Sequence, residues 1–199
     1  MKERILNATM NCIKTNKPEL TKEELDIIQY GLEGLYLTIT KIIIILFLSY
    51  IFDIFKETIL IILSYNIIRL FAFGLHAKNS LDCLITSIIL FIGGPLLAKH
   101  INIELPIKII ILIINLLFII KYAPADTEKR PLINIKKRKK FKILSILVSI
   151  IISILIIIIK NKYLSNLFLF GYAEATIMIL PITYKIFGLT YNNYKNYVK

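Results

Sequence analysis

The sequence predicts an all-α polytopic membrane protein, and three observations lead to this fold class. Hydrophobic residues make up 57% of the 199 residues, and the mean hydropathy is +0.72. The apolar residues are concentrated in blocks such as KIIIILFL and SILIIIIK, which have no polar face. A helix that is apolar all round lies in lipid or deep inside protein, and one soluble core of this size cannot enclose several of them.

The N-terminal segment, residues 1–34, is predicted to be an amphipathic helical segment on the cytosolic membrane surface. The stretch TKEE reads as a capping box in which Thr21 caps a helix and Glu24 reaches back to it. Apolar residues then recur at helical spacing at Leu25, Ile28, Leu32 and Leu35. No short apolar region ends in a small-residue cleavage site, so a secretory signal is not expected.

The transmembrane part, residues 35–187, is predicted to hold about six helices, since roughly 20 apolar residues cross a bilayer. We expect glycines and Pro95 to bend the third helix and Pro181 to kink the sixth. The predicted spans are 35–52, 58–75, 83–99, 106–121, 142–159 and 164–187.

Lysine and arginine residues between the spans predict the orientation. With both termini in the cytoplasm, most of the 25 basic residues lie on the cytosolic side. That side then holds loops 76–82 and 121–142 and the tail 188–199. The net charge of +12 is therefore explained by interaction of these basic residues with anionic lipid headgroups. The sequence has no alternation of basic and aromatic residues that would indicate nucleic-acid binding.

A polar break, residues 76–82, follows the second predicted span and separates His76 from Cys83. On one straight helix these residues would lie about 10 Å apart along the axis, too far for a hydrogen bond. Gly74 relaxes the backbone, and Asn79 and Ser80 are both good helix N-caps. We therefore expect a bend that brings the two side chains together.

This arrangement is compatible with nucleophilic catalysis by a Cys–His pair. Capping by Ser80 makes Cys83 the third residue of the next helix, and capping by Asn79 makes it the fourth. A helix N-terminus and a neighbouring histidine both favour a thiolate, whereas the nearby Asp82 disfavours it. Spacing alone favours a buried cysteine beside an interfacial histidine. The sequence lacks HExxH and CxxC, so neither a metal nor a disulfide relay is expected.

Two sequence motifs occur in and around the predicted cytosolic loops. One has the pattern R-x4-G-x-H-A-x5-C and is made by Arg69, Gly74, His76, Ala77 and Cys83. The other is KYAPADTEKRPL at 121–132. The first resembles the signature of the accessory gene regulator protein B family of membrane cysteine endopeptidases, and the second is similar to the family's YAPADTE-type loop. Nearly the whole chain also resembles the family in its layout.

The resemblance implies cleavage of a small amphipathic, AgrD-like propeptide near its acidic C-terminal part, with Cys83 as nucleophile and His76 as general base. The peptide would remain on Cys83 as a thioester until an internal Cys or Ser closes a thiolactone or lactone ring, giving a quorum-sensing autoinducing peptide. No cofactor or metal is implied, the source would be a Gram-positive bacterium, and homodimerisation stays open. Arg69, Gly74 and Ser80 would support the site. The charge of the basic run fits an acidic peptide as substrate, while positive-inside anchoring explains most of this run: Lys136, Lys137, Arg138, Lys139 and Lys140.

Two charged residues, Lys41 and Glu174, fall inside predicted spans, where charges are usually paired. We expect a structural ion pair, either between these two or between Glu174 and Arg69. Asp126 follows Pro124 in a loop, where a side-chain-stabilised turn or a substrate contact is expected.

Two other classes of protein compete with the enzyme. In a small peptide transporter or exporter without proteolytic activity, Lys41, Glu174 and the broken third span would line a pathway. A non-catalytic membrane scaffold would have an unreactive Cys83.

Overall fold

The computed structural model describes residues 2–75, 79–128 and 131–197, and these are almost entirely helical. Within them an isolated β-bridge pairs Phe73 with Ala125. The all-α prediction is confirmed. In chain order the helices are α1 (Lys2–Asn16), α2 (Lys22–Ile51), α3 (Phe55–Ala72), α4 (Ser80–Ile88), a π-helical turn (Ile89–Gly93), α5 (Gly94–His100), α6 (Leu105–Tyr122), α7 (Ile135–Ile158), α8 (Lys162–Ile177), α9 (Pro181–Ile186) and a 3-10 turn (Asn193–Asn196).

Four helical segments in the described ranges are long and apolar enough to cross a membrane: Lys22–Ile51, Ser80–His100, Leu105–Tyr122 and Ile135–Ile158. The second and sixth predicted spans correspond to α3 and α8, which contain 18 and 16 residues. Helix α3 carries Lys56, Glu57 and Arg69, and α8 is short, so the count of six spans stays a prediction.

The sixth predicted span, 164–187, forms two helices, so the kink expected at Pro181 is a break between them. Helix α8 ends at Ile177, and α9 begins at Pro181 after a turn. Proline favours the first position of a helix, where its missing N–H has no intrahelical role. The Thr183 hydroxyl also donates to the Ile177 carbonyl at 2.6 Å, which satisfies an acceptor at the end of α8.

Residues 1–47 form one compact unit. The capping box is confirmed: the Thr21 backbone N–H donates to Glu24 at 2.9 Å, and the Glu24 N–H donates to the Thr21 hydroxyl at 3.3 Å. From there α2 continues without a break through residue 35, where the predicted surface segment and first span meet. Within this unit Lys2 forms an ion pair with Glu33 at 3.5 Å.

The remaining residues, 48–199, form a second unit that has α3 and α8 at its centre. The two helices approach closely at Gly171, where an added Cβ would lie 2.6 Å from the Ile61 carbonyl oxygen. Next to this point the Ser64 hydroxyl donates to the Phe168 carbonyl at 2.8 Å. Small residues and interhelical hydrogen bonds are the usual means of helix association in membranes. Gly171 therefore sets the spacing of the central helix pair.

The third predicted span is interrupted by the π-helical turn just before Pro95. Proline has no N–H, so it leaves the carbonyl four residues earlier, that of Phe91, without its usual helical donor. The buried Thr58 hydroxyl of α3 donates to this carbonyl at 3.0 Å. A side chain of one helix therefore compensates for the interrupted backbone of another.

We predict that Gly171→Ala destabilises the protein by about 1–3 kcal/mol, because the added methyl group overpacks the α3–α8 contact. Thermal unfolding of purified protein in detergent measures the change. Gly93→Ala is the control, since an added Cβ there meets nothing within 4 Å. Equal melting temperatures for the two variants would contradict the proposed role of Gly171.

Candidate functional site

Cys83 lies in the first turn of α4, where Asn79 is the N-cap. Of the two candidate caps, the structure has Asn79, so Cys83 is the fourth helical residue and Ser80 the first. The Cys83 N–H donates to the Asn79 carbonyl at 3.1 Å. The cysteine side chain is half-buried, whereas Ser80 and Asp82 are exposed.

Asp82 acts on the cap residue. The Asn79 side-chain amide donates to the Asp82 carboxylate at 3.2 Å, and Asn79 makes no side-chain hydrogen bond to the helix amides. This contact places the Asp82 carboxylate at the start of α4. His76 itself lies outside the described residues, so its pairing with Cys83 stays a prediction.

Arg69 supports the backbone immediately before His76. Its guanidinium donates to the carbonyls of Gly74 at 3.1 Å and Leu75 at 2.8 Å. It also donates to the Tyr65 hydroxyl at 2.5 Å, one helical turn earlier on α3. The predicted alternative pair between Arg69 and Glu174 is absent among the described residues, and the Glu174 Oε2 atom is buried without a hydrogen-bond partner there. Arg69 therefore positions the turn that leads to His76.

The turn after α3, residues 72–75, is held by two distant parts of the chain. The Ala125 N–H donates to Ala72 and the Gly74 N–H donates to Ala125, both at 2.9 Å. The Leu75 N–H donates to the Met178 carbonyl at 3.0 Å. Gly74 has φ +117°, and an added Cβ would lie 2.9 Å from the Met178 oxygen. Both the backbone conformation and the lack of space require glycine here.

Asp126 connects the YAPADTE-type loop to the C-terminal segment. Its side chain is fully buried and accepts backbone N–H groups of Leu132 at 3.2 Å, Asn193 at 3.1 Å and Tyr194 at 2.8 Å. Three backbone donors therefore converge on one buried carboxylate. The sequence predicted a local turn, but two of these donors lie more than 60 residues away.

Tyrosine side chains add further contacts between this loop and the tail. The Tyr184 hydroxyl donates to the Asp126 carbonyl at 3.1 Å, and the Tyr191 hydroxyl donates to the Tyr122 carbonyl at 3.2 Å. Burial raises the pKa of Tyr191 to about 12, so this hydroxyl remains a neutral donor at physiological pH.

Arg138 differs from its basic neighbours. It is half-buried, its guanidinium lies 3.6 Å from the centroid of the Tyr194 ring, and it lies 3.9 Å from the Asp126 carboxylate. The cation–π contact and the ion pair both hold it against the tail. The other basic residues of the run are exposed: Lys136, Lys137, Lys139 and Lys140.

A cavity of about 510 Å³ opens beside the turn at residues 72–75. Its walls come from the end of α3, from loop residues 125–127 and 131–132, and from the start of α7. Apolar residues make up much of the lining, and Phe73 and Phe141 form an edge-to-face pair with ring centroids 4.9 Å apart. The volume is in the range of ligand-binding pockets.

The fold and this site define an all-α membrane protein that has a cysteine in the first turn of a helix, a tightly held turn at residues 72–75 and a cavity beside that turn. The chain belongs to the Accessory gene regulator B family, whose model matches residues 6–180. No solved structure matches the chain.

Relatives come from Gram-positive bacteria. An AgrB-like protein of Clostridium acetobutylicum is 35% identical over 92% of this chain and 88% of its own length. Accessory gene regulator protein B of Staphylococcus aureus is 36% identical over 82% of this chain and 89% of its own. An AgrB-like protein of Listeria innocua is 31% identical over 85% of this chain and 83% of its own length.

We predict that Asp126→Asn lowers thermal stability, because an amide offers one acceptor oxygen where the carboxylate offers two. A buried N–H left without an acceptor costs about 1–3 kcal/mol. Thermal unfolding in detergent tests this, with Asp53→Asn as the control because Asp53 is an exposed turn residue. An unchanged melting temperature for Asp126→Asn would show that the loop is held by other contacts.

Proposed function

We propose that this protein is a membrane cysteine endopeptidase that cleaves a small quorum-sensing propeptide near its C-terminal part and supports its cyclisation. The observation that supports the proposal is the half-buried Cys83 in the first turn of α4. A second supporting observation is that the Arg69 guanidinium binds the carbonyls of Gly74 and Leu75, just before the proposed base His76.

In the first step the Cys83 sulfur attacks a peptide carbonyl carbon, and His76 takes the thiol proton. The resulting tetrahedral intermediate carries its negative charge on the former carbonyl oxygen. It collapses by breaking the C–N bond, and His76 returns the proton to the amine that leaves. The products are a thioester on Cys83 and a released C-terminal fragment, as the general logic of nucleophilic catalysis requires.

The start of α4 offers donors for the negatively charged oxygen. The first N–H groups of an α-helix have no partner inside the helix, and the positive end of the helix dipole lies there. The Cys83 amide is bonded to Asn79, so the donors are the amides of Ser80, Leu81 and Asp82. Ser80 thus has a proposed supporting role through its backbone.

In the second step an internal Cys or Ser of the peptide attacks the thioester. Exchange with a Cys forms one thioester and breaks another, so it conserves the acyl energy, whereas hydrolysis would lose it. His76 takes the proton of the attacking thiol or hydroxyl and gives it to the Cys83 sulfur as the thioester C–S bond breaks. The product is a thiolactone, or a lactone when the attacking residue is Ser. Exclusion of water from a site near the membrane surface would favour ring closure over hydrolysis.

The exposed lysines of the basic run are proposed to attract the acidic part of the propeptide and anionic lipid headgroups. In this proposal both termini and the catalytic loop are cytoplasmic, in the cell membrane of a Gram-positive bacterium. Arg138 contributes mainly by holding the tail, because its guanidinium contacts Tyr194 and Asp126.

We predict that Cys83→Ala and His76→Ala each abolish cleavage, because one removes the nucleophile and the other the proton acceptor. The assay incubates purified protein in detergent with the small amphipathic peptide encoded beside it and follows the products by mass spectrometry. Cys12→Ala is the matched control, since Cys12 is exposed on α1. It should cleave like the unaltered protein and form a peptide adduct that maps to Cys83.

The same assay separates the enzyme from a transporter. Cleavage in detergent needs no membrane gradient, so a truncated peptide and a Cys83 adduct support the endopeptidase. Normal processing by either the Cys83→Ala or the His76→Ala variant would rule out the proposed mechanism. An intact peptide with well-folded protein would favour the transporter.

A further inference from the structure

We propose that the cavity beside residues 72–75 is a specificity subsite that takes one bulky apolar side chain of the peptide substrate. Phe73 and Phe141 are the residues that define it. The inference rests on the proposed function for the identity of the ligand. Three observations support it: the strained backbone of Phe73, the hydrogen bonds of the polar residues that line the cavity, and the closeness of the cavity to His76 along the chain.

The backbone of Phe73 is strained. Its dihedral angles are φ +57° and ψ −127°, a conformation that glycine adopts readily and bulky residues rarely do. Such outliers cost on the order of 1–3 kcal/mol and are found mainly where function requires them. The Phe73 ring packs edge-on against Phe141 and lines the cavity, so removal of the side chain would relieve strain and enlarge the cavity together.

Three of the four polar residues that line the cavity make hydrogen bonds within the protein, and Thr127 is the fourth. Arg69 donates to Tyr65, Gly74 and Leu75, and the Asn66 amide donates to the Ile62 carbonyl at 2.8 Å. The Asp126 carboxylate accepts three backbone N–H groups. The surface that remains for a ligand is formed mainly by Leu70, Phe73, Pro131, Leu132 and Phe141.

This surface selects against a charged side chain and favours an apolar one. A charged group would lose its hydration in a cavity lined mainly by apolar surface, and that transfer is unfavourable. An apolar group would be removed from water among aromatic and aliphatic side chains. The side chain that we expect to bind in the cavity is therefore that of an aromatic or large aliphatic residue of the peptide.

The cavity also lies close to the proposed chemistry along the chain. Gly74 lines it and precedes the proposed base His76 by two residues, which reach at most about 7 Å. A peptide residue spans about 3.3–3.6 Å when extended. The selected side chain should therefore lie within about three residues of the peptide bond that is cut.

The experiment measures coupling between the protein and single residues of the peptide. Each apolar residue of the peptide encoded beside this protein is replaced by Ala in turn. Binding is measured by fluorescence anisotropy to purified Cys83→Ala protein in detergent, with and without Phe141→Ala or Phe73→Gly. In the parent background we expect one replacement, near the cut, to weaken binding about 10-fold or more. In both cavity variants the same replacement should change binding less than about 2-fold.

Two controls separate selectivity from folding. Phe73→Gly is expected to raise the melting temperature or leave it unchanged, since glycine fits the observed backbone, so loss of selectivity cannot be assigned to unfolding. Phe118→Ala removes an aromatic residue that contacts Tyr122 and does not line the cavity. This variant should respond to the peptide series as the parent protein does.

The possible outcomes test the subsite and the proposed function separately. One outcome is normal cleavage by protein that retains Cys83, together with cavity and peptide changes whose effects on binding are additive. This outcome would overturn the subsite alone, and it is expected if a lipid chain fills the cavity. Coupled binding without any cleavage would support the subsite and overturn the endopeptidase. Failure of the peptide to bind at all would overturn both.

Discussion

The site depends on how the backbone of residues 72–75 satisfies its hydrogen bonds once α3 has ended. The chain must turn there, and buried amide and carbonyl groups cannot be left without partners. Ala125 supplies one acceptor and one donor, Met178 supplies an acceptor, and Arg69 donates to the last two carbonyls of the turn. The partners come from three separate parts of the chain. The position of this turn therefore depends on how these parts of the second unit pack together.

Asp126 extends this dependence to the C-terminal segment. The residue next to it, Ala125, pairs with the turn, while Asp126 itself binds the amides of Asn193 and Tyr194. The tail, the loop and the turn therefore form one continuous hydrogen-bonded path. Arg138 reinforces the path with its aromatic and ionic contacts, which explains why one member of the basic run is half-buried and its neighbours are exposed.

The features that the sequence predicted well are local ones. The capping box at Thr21 and Glu24, the helix start at Asn79 and the break at Pro181 each depend on a few neighbouring residues. The contacts of Asp126 with residues 193 and 194 join distant segments, and no periodic pattern in the sequence predicts such contacts. The strain at Phe73 was equally hidden, because phenylalanine gives no signal for a glycine-like backbone.

The hydrogen bond between Thr58 and Phe91 has a consequence for the evolution of the fold. The Phe91 carbonyl needs an outside donor because Pro95 has no N–H to offer it. A homologue with another residue in place of Pro95 would restore the intrahelical bond and leave the threonine hydroxyl redundant. Positions 58 and 95 are far apart in sequence, yet they are expected to co-vary. Homologues with proline at position 95 should have a hydroxyl residue at position 58.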